Sequence, residues 1–382
     1  MSQEILSALK IVAVTFLCSA LIMPAMKKIA FHIGAVDVPR SDEGNRHIHK
    51  KVMPKLGGVG IFLAFLVGYM LFGIESIQMN SILIGSFIII LTGIIDDINS
   101  IRASRKLLGQ LIAACIIVFY GGILLNNITA FGYTIDFGII SYPLTIFFIV
   151  ACTNIINLID GLDGLCGGIC SIFFLTIGII GFFQGRSGNL VMLLTFIMLG
   201  ATLGFLLHNF YPAKIFCGDC AMFLGFIIAI ITLLEFKGPA LTSLFVPIMI
   251  LGIPILDTLF AIIRRLLKHQ PPFSPDKDHI HHQLLGMNFS HRTTVLIIYA
   301  IDLLFAMASI LYILKDPFLG KVFYILIFIV VVWFVFRTSV ISPKNKEVTD
   351  NIIDKVEGTL KKDRNNTYLK FGKQIGEAYR FE

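Results

Sequence analysis

The chain has 382 residues, of which 56% are hydrophobic and 14% charged, and its formal net charge is +7. Soluble chains average about 25% charged residues, so a mean hydropathy of +0.86 excludes an ordinary water-soluble domain and indicates a polytopic membrane protein. In such a protein a pI near 9.0 reflects basic loops on the inner face of the membrane, not nucleic-acid binding.

A bilayer core asks for roughly 20 apolar residues per helix, and the apolar runs predict about eleven spans. They fall near 5–26, 56–74, 81–95, 107–125, 139–156, 168–183, 189–207, 221–236, 239–263, 293–314 and 322–336. The run 6–23 is long enough to span and lacks a small-residue cleavage pattern, so it reads as a span and not as a signal peptide. The expected fold is all-α, a polytopic bundle of transmembrane helices over 1–336, with a charged cytoplasmic tail at 337–382. In the tail, Val348, Ile352, Ile353, Val356 and Leu360 recur at helical spacing and predict one amphipathic helix.

Lys and Arg set the orientation. One set of loops holds Lys27, Lys28, Arg40, Arg46, Lys50, Lys51, Lys55, Arg102, Arg105, Lys106, Lys214, Arg264, Arg265, Lys268 and Lys277. The opposite set holds Arg186, Lys237, Lys315 and Lys321. The first set is read as cytoplasmic, which puts the amino terminus outside and the tail inside. Seven cysteines are scattered, mostly in apolar runs, and imply no disulfide framework. Cys217-Gly-Asp-Cys220 has the spacing of a redox or zinc motif, but no matching partner pair is evident.

Polar motifs then appear in chain order, all on the inner side. Arg46, His47, His49, Lys50, Lys51 and Lys55 precede the pair Gly57-Gly58, a basic loop suited to an anionic headgroup or simply to the inner face. Asp96 and Asp97 end a span and are followed by Arg102, Arg105 and Lys106. Two acids beside three cations suit a place where a phosphate meets a metal. The stretch 154–165 reads N-I-I-N-L-I-D-G-L-D-G-L. On a continuous helix, Asn154, Asn157, Asp160 and Asp163 would form one polar stripe, and its carboxylate and amide oxygens are those a hard cation prefers. Asn209 and Phe216 could bond and stack on a nucleobase, and Asp219 opens the next span. Last, His279, His281 and His282 follow Arg264, Arg265 and Lys268, which favours anion binding by charge-assisted donors over zinc. Asp257 and Asp302 are the carboxylates read inside spans, and Asp257 is expected to pair with Arg264, seven residues on.

These motifs, in this order, resemble the polyprenyl-phosphate N-acetylhexosamine-1-phosphate transferase superfamily. The resemblance runs from the 54–58 segment through His282 and into the tenth span, and the H-I-H-H form at 279–282 is similar to the branch that starts teichoic acid, O-antigen and related envelope polymers. It implies transfer of N-acetylglucosamine-1-phosphate from UDP-GlcNAc to undecaprenyl phosphate, release of UMP, and dependence on Mg²⁺ or Mn²⁺. It implies a bacterial inner (plasma) membrane enzyme whose active site is cytoplasmic, embedded in lipid. It leaves open another UDP-N-acetylhexosamine or a UDP-MurNAc-peptide as donor, and the superfamily includes homodimers.

By that resemblance the acids Asp96, Asp97, Asp160, Asp163 and Asp219 carry the chemistry, with Asp96 and Asp97 near the lipid phosphate. Lys106 contacts phosphate. Asn157 and Asp219 hold the metal, and Asp163, Asn209 and Phe216 contact uridine. His279, His281 and His282 close over the diphosphate and sugar, with Arg264 and Arg265 as further anion-binding groups. The sequence departs from the family's G-D-x-G-S pattern at Ala221 and Met222, which removes one hydroxyl. Two other classes fit less well. A membrane prenyltransferase would share the acids but needs neither the histidines nor the Asn209/Phe216 pair. A transporter of an anionic envelope precursor would need polar groups at mid-membrane and on both faces.

Overall fold

The computed structural model describes residues 2–38, 52–130, 133–185, 189–235, 250–267, 279–287, 289–314 and 316–337. Long helices dominate: α1 (Ser2–Ile33), α2 (Gly57–Phe72), α3 (Ile77–Ile98), α4 (Ala103–Cys115), α5 (Ser141–Ile159), α6 (Leu165–Phe183), α7 (Leu190–Asn209), α8 (Met222–Glu235) and α9 (Gly252–Leu267). The short α10 (Ile280–Gly286) and the long α11 (His291–Leu314) and α12 (Pro317–Arg337) follow. Two small antiparallel pairs interrupt them, β1 (Val36–Asp37) with β2 (Met53–Pro54) and β3 (Asn127–Ala130) with β4 (Tyr133–Asp136).

Among the described residues, eight helices are long and apolar enough to cross a membrane. They are α1, α3, α4 with its π-helical continuation to Tyr120, α5, α6, α7, α11 and α12, while α2 is apolar but shorter. The expected all-α membrane bundle is what the chain forms. Of the expected spans 221–236 and 239–263, the described parts are α8 and α9. The tail beyond Arg337 lies outside the described residues, as do Arg40, Arg46, His47, His49, Lys50, Lys51, Arg186, Lys237, Lys268, Lys277 and Lys315.

Sequence explains which helix is central. A helix apolar all round belongs in the interior, and α8 is buried along nearly its whole length. It packs on α5, α3 and α2. Phe223 at its start meets Phe62 and Phe65 of α2 edge-on, with ring centroids 5.4 and 5.6 Å away. Helix α7 is flanked by α1 and α6, and α6 packs on α11. Leu21 of α1 and Phe318 and Trp333 of α12 turn large apolar side chains outward, the surface a lipid phase accepts. Side-chain caps start two of the spans: Ser76 accepts the Met79 N–H at 3.0 Å and Asn189 the Met192 N–H at 2.9 Å.

One expectation fails at the end of α5. The helix stops at Ile159, Asp160 is non-helical (φ −72°, ψ 48°), and Gly164 takes φ +82°. Asn154 and Asn157 therefore share the helix, but Asp160 and Asp163 belong to the turn that follows. The four-residue stripe does not exist, because α5 already ends at Ile159, and the left-handed Gly164 then leads the turn into α6.

Antiparallel succession brings the polar motifs to one end of the bundle. The ends of α3, α5 and α7 meet the starts of α2, α4, α6, α8 and α11 there. The 216–221 segment is gripped from two sides. Gly57 N–H and Gly58 N–H donate to the Phe216 and Cys217 carbonyls at 2.8 and 3.0 Å, and Phe216 N–H donates to Pro54 O at 2.8 Å. From α3, Gly93 faces Cys220 so closely that an added Cβ would lie 2.9 Å from the Cys220 backbone. The Gly57-Gly58 pair thus binds backbone, whatever the preceding basic loop does. Gly93→Ala is expected to destabilise the protein by about 1–3 kcal/mol, the usual cost of overpacking, read as a lower Tm in detergent. Gly286→Ala, where a Cβ meets nothing within 4 Å, is expected to leave the Tm unchanged; equal Tm values for the two variants would contradict this packing.

Candidate active site

The site is built around Asp219, at the mouth of α8. Its backbone N–H donates to Asp97 Oδ1 at 3.0 Å. The preceding Gly218 N–H donates to Asp160 Oδ2 at 3.1 Å. Gly218 itself has φ +73°, and a Cβ there would meet Asp97 Oδ2 at 2.5 Å as well as the Lys55 carbonyl. Only glycine passes between those groups. Lys106, on the first turns of α4, ion-pairs with the Asp219 carboxylate and lies 2.9 Å from Asp96 Oδ2. Asp96 Oδ1 also accepts the Ile101 N–H at 2.8 Å, which holds the α3–α4 corner. Asn157 Nδ2 reaches Asp219 Oδ1 at 3.3 Å.

So Asp96, Asp97, Lys106, Asn157, Asp160 and Asp219 come together from four separate stretches of chain. The electrostatics follow from that crowding. Burial pushes the Asp160 carboxyl up to about 7; the Gly218 N–H opposes the shift and the nearby Asp219 charge adds to it. Asp97 is buried, and its Oδ2 has no hydrogen-bond partner among the described residues.

The donor set suits a hard cation. Mg²⁺ is ordinarily held by one or two carboxylates, with substrate phosphates and water completing the shell. Asp219 and Asn157 meet that pattern once the Asn157 amide is turned to present its oxygen, an assignment that rests on the hydrogen-bond network. Among the described residues, no group of three or more His, Cys, Asp or Glu side chains forms a ready-made metal cage.

Other expected site residues have different surroundings. Asn209 is buried, with Oδ1 accepting the Gly164 N–H and Nδ2 donating to Ile215 O, both at 2.9 Å. Asp163 is fully buried, with Oδ2 accepting the Ala213 N–H at 2.9 Å and its own N–H donating to His291 Nε2 at 3.0 Å. Both were expected on uridine. Here their side chains tie the 160–164 turn to the 209–216 loop, because a sharp turn inside a bundle leaves buried N–H groups that must be satisfied. Phe216 is half-buried on that loop, three residues before Asp219. Asn154 is likewise structural: it exchanges hydrogen bonds with Gln110 of α4 at 2.7 and 3.2 Å.

Gln110 carries no motif signal in the sequence, yet it explains the departure at Met222. Its Nε2 also lies 3.0 Å from Met222 Sδ, so a weak sulfur acceptor stands where the family pattern has a hydroxyl. Cys217 and Cys220 are free, buried thiols. Burial holds the Cys217 thiol well above its usual range, so it acts as a small hydrophobe.

The histidine motif forms the start of α10. The rings of His279 and His281 stack with centroids 5.7 Å apart, and His281 meets His282 at 4.3 Å. His281 Nε2 sits over the 160–164 turn, where a Cβ on Gly161 would come within 2.8 Å of it. Burial lowers the His281 pKa to about 3, despite the attraction of Asp257. His281 is therefore neutral, which corrects the expected charge-assisted donor. Asp257 is also reassigned, since the partner the structure shows for it is His279 at 2.9 Å and not Arg264. Arg264 and Arg265 are buried in the last turn of α9. Beside the 160–164 turn, Tyr211 stacks on His291 with centroids 4.8 Å apart.

Residues 79–235 match the family described as glycosyl transferase family 4. Over 301 residues the chain is 44% identical to the probable undecaprenyl-phosphate N-acetylglucosaminyl 1-phosphate transferase of Bacillus subtilis (strain 168), covering 78% of this chain and 82% of that one. It is 33% identical over 306 residues to the decaprenyl-phosphate N-acetylglucosaminephosphotransferase of Mycobacterium tuberculosis (strain ATCC 25618 / H37Rv), covering 72% and 74%. It is 28% identical over 306 residues to the undecaprenyl-phosphate alpha-N-acetylglucosaminyl 1-phosphate transferase of Salmonella typhi, covering 78% and 81%. A chain with this site geometry and this extent of identity belongs to glycosyl transferase family 4.

Proposed function

We propose that this protein transfers N-acetylglucosamine-1-phosphate from UDP-GlcNAc to undecaprenyl phosphate and releases UMP, as the first membrane step of a cell-envelope polysaccharide. The observation that carries this reading is the convergence of Asp97, Lys106, Asn157 and Asp160 on the Gly218–Asp219 segment, with Asp96 on Lys106, at one end of a membrane bundle, in a chain 44% identical to a relative of that named activity. The positive-inside reading of the basic loops supports a cytoplasmic position for that end, where a nucleotide sugar is at hand.

The reaction is a displacement at phosphorus. An oxygen of the lipid phosphate attacks the phosphorus that bears the sugar, a new P–O bond forms, and the bond to the bridging oxygen breaks. UMP leaves with that electron pair. A phosphate monoester has its second pKa near 6, so at neutral pH the nucleophile is mostly dianionic and needs little help from a base. The protein's contribution is then placement and charge neutralisation. Lys106, already set between Asp96 and Asp219, can bring its ammonium to a phosphate oxygen. Asp97 and Asp160 fix the 218–219 backbone, and so fix where the Asp219 carboxylate points. Asp219 and Asn157 would hold Mg²⁺, which supplies positive charge to the diphosphate and the leaving UMP. Phe216, three residues before Asp219 on the pinned loop, would stack on the uracil. His281 packs on the 160–164 turn, and the neighbouring His279 and His282 would reach the diphosphate and sugar.

Purified protein given UDP-GlcNAc, undecaprenyl phosphate and Mg²⁺ is expected to form GlcNAc-pyrophosphoryl-undecaprenol and one UMP per product. A folded protein that yields neither overturns the reading, and a panel of UDP-sugars sets the donor.

Phe216 and Asn209 are expected to separate by phenotype. Base stacking is worth about 1–3 kcal/mol, so Phe216→Ala should raise the KM for UDP-GlcNAc roughly 5- to 150-fold with the lipid KM little changed. Asn209→Ala leaves two buried backbone groups unpaired, at about 1–3 kcal/mol each, so it should lower the Tm first. An unchanged nucleotide KM in Phe216→Ala would return that ring to ordinary packing.

A further inference from the structure

Asp257 is a carboxylate that the transfer chemistry above leaves without a role. It is buried on α9, and both of its oxygens are committed to the start of α10. Oδ2 lies 2.9 Å from His279 Nδ1, and Oδ1 accepts the Ile280 N–H at 2.7 Å. His279 is extended (φ −61°, ψ 154°) and is the residue at which α10 begins, without a cap from its own side chain. The Ile280 N–H is thus one of the first-turn donors that a helix cannot satisfy internally. Asp257 satisfies it from a different helix, 23 residues earlier in the chain.

The contact to His279 has a chemical consequence. An ionised carboxylate only accepts, so the proton in this bond belongs to His279 Nδ1. That choice settles the tautomer and leaves Nε2 as the nitrogen available for other work. The consequence extends past one ring, because His279 stacks on His281 with an interplanar angle of 7°, His281 adjoins His282, and His281 lies over Gly161. One buried carboxylate therefore sets the tautomer of the first histidine and, through the ring stack, supports His281 against the turn that carries Asp160.

We propose that Asp257 is a positioning residue for phosphoglycosyl transfer, holding His279 in its Nδ1–H form and docking α10 so that His279 Nε2 is presented to the donor's diphosphate. This rests on the transfer reading given above. A purely structural role is the competing account, in which Asp257 only caps α10.

Asp257→Asn separates the two. The amide keeps an oxygen for the Ile280 N–H, so the cap survives. Its NH₂ group now faces His279 Nδ1 and drives the ring proton to Nε2. The expected result is a folded variant with the wild-type Tm and turnover reduced about 10- to 100-fold, the range for losing a group that orients a functional imidazole. In a His279→Ala background the same substitution should cost nothing further, since the ring it orients is gone. Wild-type turnover in Asp257→Asn, or losses that multiply in the double variant, would overturn the proposal. If Asp257→Asn does not fold, Asp257→Glu is read in the same cycle, where its loss must also vanish with His279→Ala. A wild-type protein that forms no lipid product would instead remove the transfer reading itself, so the two failures are distinguishable.

Discussion

Carboxylates crowd together at one end of this bundle, and the fold must make that tolerable. Two like charges 4 Å apart cost about 4 kcal/mol even at an effective dielectric constant of 20. The structure offsets the repulsion with three devices. Lys106 places an ammonium between Asp96 and Asp219. Backbone N–H groups of Gly218 and Asp219 are turned onto Asp160 and Asp97. Burial holds Asp160 near neutrality, with a pKa of about 7. Each device needs the 216–221 segment in one place, and so needs the close glycine contacts from α2 and α3. Charge at the site and backbone packing beneath it are one constraint.

That constraint accounts for why the site sits at helix ends. Within the apolar layer there is no solvent to hold unpaired polar backbone. Where helices stop, N–H groups become available, and irregular chain can supply ligands without exposing its backbone to lipid. The 160–164 turn and the 209–219 loop are such segments, and Asp163 and Asn209 bind them to each other. Tyr299 of α11 adds a hydroxyl that donates to the Gly164 carbonyl. The turn is thus held from α7, α11 and the histidine helix together, and the position of Asp160 follows from all three.

Much of this was legible in the sequence. Length and apolarity of the runs predict the bundle, and the order of the motifs predicts that Asp96, Asp97, Lys106, Asn157 and Asp219 share one end. Such features depend on local pattern and on the alternation of successive spans. What could not be read depends on tertiary contact. The stripe through Asp160 and Asp163 assumed a helix that in fact ends at Ile159. The amide of Asn209 suits a base edge as well as it suits two backbone groups, and residue type alone does not reveal its bonds to Gly164 and Ile215. Asp257 was paired with Arg264 by helical spacing, whereas its partner His279 comes from another helix. The neutrality of His281 is a matter of burial, which residue type does not reveal, and Gln110 acquires its role only by facing Met222 across the bundle.

The account stands on Asp219 as the point where cationic charge meets the donor's phosphates. Its most direct test is titration of Mn²⁺ against the detergent-purified protein with UDP-GlcNAc and no lipid acceptor, following protein-bound Mn²⁺ by electron paramagnetic resonance. The account predicts one protein-bound ion per chain in the wild type. In Asp219→Asn it predicts affinity weaker by about tenfold or more, the least expected when a ligand is lost, given 10- to 100-fold for a mere supporting group. Unaltered Mn²⁺ affinity in a folded Asp219→Asn variant would contradict it.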